Sequence, residues 1–274
     1  MKNDNSKYLI VCDLDGSLLN GDRQIPKTTV NYFKKLNKNG FNIVLASGRP
    51  MKNVFYFYKK IGLKTPIISS NGLCIKFQDS KNKDVIFFFD NKNISDILST
   101  VEKKVGIKNV FFSTEDHNYF IKKNNIPSFW KLNMKNEFLP IEKILKKNIV
   151  NFIFELKDKN IDEKKIKKIL SPFKKNKVCF WTGIYKGFFE IYNVVSNKYK
   201  AIINISKKLK IKPDNIFAFG NDFNDIEFLT KLKNAYAMKN SSDEIKKKSH
   251  LITKFDNNNF GIERELKTIL KNLK

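Results

Sequence analysis

Apolar residues arrive in two rhythms along this chain. Tyr8 to Cys12 and Phe41 to Ala46 are short, nearly unbroken runs rich in β-branched and aromatic residues, the pattern of strands covered on both faces. Between them Val30, Phe33 and Leu36 recur at helical spacing, with Pro26 before them and Gly40 after as start and stop signals. Pro50 suits the first turn of a second helix, and Pro66 to Ser69 reads as a third short strand. Strand, helix, strand, helix, strand predicts a parallel sheet with right-handed crossovers.

From Leu73 the rhythm changes. Leu73 to Phe77 and Val85 to Phe89 flank the polar turn Asp79 to Lys83 and predict a hairpin. Helices follow around Ile94 to Val105 and Ile161 to Leu170, with strands around Val110 to Phe112, Val150 to Leu156 and Val178 to Trp181. After Ile191 the first rhythm returns. A helix over Lys198 to Leu209 precedes a strand over Ile216 to Phe219; Ile226 to Leu232, Ala235 to Met238 and a last helix from Ile262 to Leu273 complete it. The pattern predicts an α/β protein with a Rossmann-like parallel-sheet core built from residues 1–82 and 190–274. Residues 83–189 form a mixed α/β insertion.

Composition narrows the class. A chain of 274 residues, 41% hydrophobic and 13% aromatic, can bury a sizeable core and is not disordered. Its apolar runs are strand-length, too short to span a bilayer, and the polar start from Met1 to Lys7 carries no signal-peptide pattern. Cys12, Cys74 and Cys179 are widely spaced and form no Cys-x-x-Cys pair, as expected of reduced thiols in a cytoplasmic protein. The net charge of +26 is almost entirely lysine, because Arg23, Arg49 and Arg264 are the only arginines. Arginine is the usual fork for phosphates and bases, so this composition argues against a dedicated nucleic-acid surface. The positive field does favour anionic substrates.

Candidate chemistry sits where a parallel sheet binds ligands, just beyond the carboxyl ends of its strands. Asp13 and Asp15 follow the first strand, with Gly16 freeing the turn. Ser47, Gly48 and Arg49 follow the second, Asn71 and Gly72 the third, and Gly220 to Asp225 the strand ending at Phe219. Any one set alone reads as a turn or a helix cap. Their recurrence at successive strand ends is the signal. Two carboxylates two residues apart suit Mg²⁺, which takes oxygen ligands and is commonly held by one or two carboxylates plus a phosphate. Asp13 can give one carboxylate oxygen to the ion and attack phosphorus with the other. Asp15 can deliver a proton to the leaving oxygen and later take one from water. Ser47, the Gly48 amide and a lysine can bind the transferring phosphoryl oxygens. Lys198 is the best placed lysine, with Lys200 its competitor.

Together these motifs resemble the haloacid dehalogenase superfamily, in particular its Cof-type phosphatases with a large α/β cap. Asp13-Leu14-Asp15-Gly16-Ser17-Leu18-Leu19 resembles the family's first motif, Ala46-Ser47-Gly48-Arg49 its second, Asn197-Lys198 its third and Phe219 to Glu227 its fourth. Ser69-Ser70-Asn71-Gly72 resembles the turn that precedes the cap, and Ala237 to Ser241 a later family segment. The resemblance implies Asp13 as nucleophile, Asp15 as acid and base, and Ser47, Gly48, Lys198 and Asn224 as phosphate binders. Mg²⁺ is the implied cofactor, on Asp13, the Asp15 carbonyl, Asn221 and Asp222, with Ser17, Arg49, Asn71 and Asp225 in support. Two positions depart from the pattern. Ser17 replaces the usual Thr and keeps the hydroxyl; Asn221 stands where the fourth motif usually has Asp.

The expected activity is hydrolysis of a small phosphorylated metabolite by a monomer or weak oligomer, with no specific nucleic acid and no membrane partner. A phosphomannomutase-like phosphotransferase is the nearest alternative, and a basic nucleic-acid-binding protein the more distant one. Within the insertion, His117, Trp130, Trp181, Tyr185 and Lys186 are the residues suited to face a substrate.

Overall fold

The computed structural model describes residues 4–121, 135–174, 176–180 and 186–273; Trp130, Trp181 and Tyr185 lie outside them. The chain divides into two compact units, Met1–Val85 with Asn197–Lys274, and Ile86–Ser196.

The first unit opens with β1 (Leu9–Cys12), whose four residues are all buried. A loop leads to α1 (Lys27–Lys38), which turns Val30, Phe33 and Leu36 inward. Then follow β2 (Asn42–Leu45), α2 (Met51–Ile61), β3 (Ile67–Ser69), β4 (Cys74–Lys76) and β5 (Val85–Ile86). Gly62 stops α2 in the left-handed conformation, its N–H bonded to carbonyls of the last turn. Strands β3, β4 and β5 are neighbours in a small three-stranded sheet.

The second unit carries α3 (Asn91–Val105), β6 (Ile107–Ser113), β7 (His117–Phe120), β8 (Lys135–Phe138), α4 (Ile141–Ile144), β9 (Asn151–Leu156), α5 (Glu163–Leu170), β10 (Asn176–Phe180) and β11 (Phe188–Asn193). Its sheet runs β10-β11-β9-β6-β7-β8, antiparallel except between β7 and β8. Alternation decides its faces: Phe152, Phe154 and Leu156 of β9 pack with Ile94, Ile97 and Val101 of α3 and Ile166 of α5 in one core.

Returning to the first unit, the chain forms α6 (Lys198–Lys208), β12 (Ile216–Gly220), α7 (Ile226–Lys231), β13 (Asn234–Ala237), α8 (Asp243–Lys248), β14 (Leu251–Ile252) and α9 (Gly261–Asn272). The main sheet has the order β14-β13-β12-β1-β2, parallel throughout. A parallel bridge from Ala46 to Ile68 leads on to β3. From β1 the chain moves outward through β2 towards β3, then restarts on the other side of β1 with β12. The strand order therefore reverses between β1 and β12, which is where such a sheet opens a crevice at its carboxyl end. Among the described residues, no helix is long and apolar enough to cross a membrane.

Candidate active site

Asp13 leaves the end of β1 with its N–H donating to the Phe219 carbonyl of β12 at 2.9 Å. The chain then makes a wide turn: Leu18 N–H donates to the Asp13 carbonyl at 3.1 Å and Leu19 N–H to that of Leu14 at 2.9 Å. Gly16 sits inside this turn with φ 71°, and a Cβ there would lie 2.3 Å from Asn221 Nδ2. Only glycine meets both requirements. The Gly16 carbonyl accepts from Asn240 Nδ2 at 2.8 Å, which fastens the turn to the segment after β13.

Behind Asp13 lies a buried ammonium. Lys198 is the first residue of α6, and Asn197 caps that helix by accepting from the Lys200 N–H at 2.8 Å. Lys198 is 0% exposed, and its Nζ donates to Asp13 Oδ1 at 2.7 Å and to Asp225 Oδ1 at 2.7 Å. The other oxygen of Asp225, Oδ2, accepts from the N–H groups of Asn221 at 2.8 Å and Asp222 at 3.2 Å. Asp225 thus neutralises Lys198 and shapes the loop that carries Asn221. Of the two lysines, Lys198 reaches Asp13.

Burial is the largest influence on Asp13 and pushes its carboxyl up to about 7. Lys198 pulls in the opposite direction, and the Asp225 charge adds to the rise. For Lys198, burial disfavours the charged form, but its two carboxylate partners more than offset this and raise the ammonium above its ordinary range.

Asp15 has a different setting. Its carboxylate is 54% exposed and receives a forked pair from Arg49, Nε to Oδ2 at 2.7 Å and Nη2 to Oδ1 at 2.6 Å. Arg49 also lies over the Phe57 ring, 5.4 Å from its centroid. Ser47 is buried and its Oγ accepts from the Arg49 N–H at 3.1 Å. Beyond β3, Ser70, Asn71 and Gly72 take φ of 48°, 55° and 90° in succession. That turn delivers Asn71, whose N–H donates to the Ser47 carbonyl at 3.0 Å and whose Oδ1 accepts from Asn224 Nδ2 at 2.9 Å. Gly48 packs directly against this side chain. At Gly72 a Cβ would lie 2.3 Å from the Asn197 carbonyl oxygen, so glycine is required for the start of α6 to come this close. The ends of β1, β2, β3 and β12 and the start of α6 therefore converge on one constellation.

Residues 10–266 match the family model of haloacid dehalogenase-like hydrolases. The chain belongs to this family. A Mycoplasma genitalium relative, MG265, is 31% identical, covering 95% of this chain and 98% of the relative. The 5-amino-6-(5-phospho-D-ribitylamino)uracil phosphatase YitU of Bacillus subtilis is 24% identical, covering 95% and 96%. A haloacid dehalogenase-like hydrolase of Bacteroides thetaiotaomicron shares the fold with a TM-score of 0.79 at 20% identity, covering 96% of this chain and 99% of the other.

In this haloacid dehalogenase-family chain, the donor set for a divalent ion is mixed. Among the described residues, no three His, Cys, Asp or Glu side chains form a metal cluster. Instead, the inward atom of the Asn221 carboxamide lies 2.7 Å from the Asp15 carbonyl oxygen, 3.2 Å from Asp13 Oδ2 and 3.2 Å from Ser17 Oγ. With Oδ1 inward, a carboxylate, a main-chain carbonyl and a carboxamide oxygen face one another. Such a set fits a hard cation of the magnesium kind, which completes its shell with waters and a phosphate oxygen. Asp222 faces elsewhere: its exposed carboxylate accepts from the Phe223 N–H at 2.7 Å.

His117 lies between carboxylates, Nδ1 2.8 Å from Asp116 and Nε2 3.2 Å from Glu137. His250 Nε2 is 2.9 Å from the Thr230 carbonyl. Lys186 Nζ donates to Asn160 at 3.1 Å. Reading strand ends one at a time overlooks two features of the site, the Arg49 fork on Asp15 and the Asn240 clamp on Gly16. Asn240 lies in the segment Ala237 to Ser241, whose family likeness is the signal that points to it.

Proposed function

We propose that this chain is a magnesium-dependent phosphatase that hydrolyses small phosphorylated metabolites through an aspartyl phosphate on Asp13. The observation that carries this reading is the position of Asp13 at the strand-order reversal, one oxygen on the Lys198 ammonium and the other beside Asn221. When bound, Mg²⁺ supplies positive charge at the transferring phosphoryl group. Asp13 Oδ1 attacks phosphorus while the bond from phosphorus to the substrate oxygen breaks. Asp15 gives its proton to that leaving oxygen, which requires its carboxyl to come off the Arg49 fork. Ser47, the Gly48 N–H, Lys198 and Asn224 bind the phosphoryl oxygens, where charge stabilisation contributes most. Water then attacks the aspartyl phosphate, its proton goes to Asp15, and Asp13 and inorganic phosphate are released.

The 86–196 unit is read as the cap that selects substrates. The phosphorylated ribityl compound named for YitU supports a phosphorylated sugar or polyol as the substrate class. The buried thiol of Cys12 supports a cytoplasmic setting. Incubation with a panel of phosphorylated sugars and polyols, with and without Mg²⁺, tests the reading. Free phosphate should appear only with the metal, whereas an isomerised sugar phosphate without net phosphate release would mark a phosphotransferase instead.

A further inference from the structure

The Asn221 carboxamide has two orientations of nearly the same shape, and the surrounding residues give each a different use. Gly16 packs against the outer side of the amide, so the group is held in place and an exchange of its oxygen and nitrogen needs no repacking. With NH₂ inward, the amide donates to Asp15 O at 2.7 Å and to Asp13 Oδ2 and Ser17 Oγ, each at 3.2 Å. With Oδ1 inward, it keeps only the bond from Ser17 and turns a third oxygen towards the Asp13 carboxylate and the Asp15 carbonyl.

We propose that Asn221 is a reversible stand-in for the cation: its NH₂ satisfies Asp13 and Asp15 O in metal-free protein, and its oxygen turns inward when Mg²⁺ binds. This rests on the magnesium reading given above and deepens it. A carboxylate at position 221 could not play both parts, because it has no proton to donate. Without a cation it would set a second negative charge beside Asp13 and an unpaired oxygen against the Asp15 carbonyl. With a cation it would add a full charge to the ligand set. Asparagine therefore exchanges cation affinity for a metal-free site that is internally hydrogen-bonded.

The test uses the full chain without substrate. In EDTA, Asn221→Asp should melt several degrees below wild type, and by calorimetry it should bind Mg²⁺ about ten-fold more tightly. Equal melting temperatures in EDTA, equal Mg²⁺ affinities, or no Mg²⁺ binding by either protein would each overturn the proposal. If the variant does not fold, the wild type still decides. The Asn221 side-chain amide protons, followed by NMR on asparagine-labelled protein, should be protected from exchange in EDTA and lose protection on adding Mg²⁺. Unchanged protection sinks the idea. Phosphate release is assayed separately, so an inactive protein would refute the phosphatase reading while these measurements still decide the role of Asn221.

Discussion

Two ion pairs a few residues apart in the same site obey opposite rules. The Asp13–Lys198–Asp225 set is shut away from water, with a 0% exposed ammonium between two carboxylates. Removing one member of such a buried set leaves uncompensated charge and is strongly destabilising. The Asp15–Arg49 fork is partly open, its side chains 54% and 22% exposed. Water takes over when such a pair parts, so its contribution to stability is small. The proposed nucleophile is locked, and the proposed proton carrier is held by a pair that water can replace. Fixed charge and mobile charge are separated by burial alone.

That contrast can be broken by experiment. The largest effect is expected for Asp13→Asn, which keeps the shape and removes the nucleophile. Its kcat/KM on p-nitrophenyl phosphate should fall by at least ~10³-fold, and retained turnover would refute the covalent mechanism. Next comes Lys198→Met, which leaves two buried carboxylates facing each other. Urea denaturation should show a loss of about 3–5 kcal/mol. Adding Asp225→Asn should recover part of that loss, since the pair shares one network. Arg49→Ala should cost less than about 1 kcal/mol in stability. Its signature should be kinetic, a changed kcat rather than a changed melting point. A loss of stability matching the lysine variant would erase the distinction between the two pairs.

A further expected effect is a slope with pH rather than an offset. In the metal-free folded protein, Asp13 holds its proton up to about 7, against an ordinary value of 3.8. An acid whose folded-state value is raised stabilises the fold fully below the unfolded value, and this contribution fades as pH rises through the folded one. Urea midpoints in EDTA, compared between wild type and Asp13→Asn, should therefore draw apart progressively from about pH 4 to pH 7. Parallel profiles would show that the Asp13 carboxyl is not raised.

Much of this was legible in the chain itself. The central strands of the main sheet, Leu9–Cys12 and Ile216–Gly220, are fully buried runs, and buried parallel strands announce themselves by unbroken apolar sequence. The second unit was read less completely. Strand β8 is Lys-Asn-Glu-Phe and exposed at every position, so neither alternation nor hydrophobicity marks it. Strand β7 begins at His117 and pairs with β8 in parallel, a partner set by tertiary context. At the site, residue types and strand-end positions name the candidates, and the geometry gives their hydrogen-bond partners. The Arg49 fork joins residues 34 apart. Whether Asn221 or Asp222 faces Asp13 depends on which of two adjacent side chains the loop turns inward, a loop whose N–H groups at both positions are held by Asp225.

The split construction of the first unit has a consequence for the newborn chain. Strand β1 lies in the middle of the main sheet, yet one of its two partners, β12, is pairing Ile216 to Leu9. The lysine that neutralises Asp13 is 185 residues downstream. At a synthesis rate of ~5–20 residues per second, β1 waits roughly 10–40 s for that neighbour. Throughout the wait it presents a bare, wholly apolar edge, the kind that pairs with other chains. The Ile86–Ser196 unit is contiguous and complete before β12 emerges. The unpaired edge of β1 during synthesis is therefore the place where aggregation is expected first.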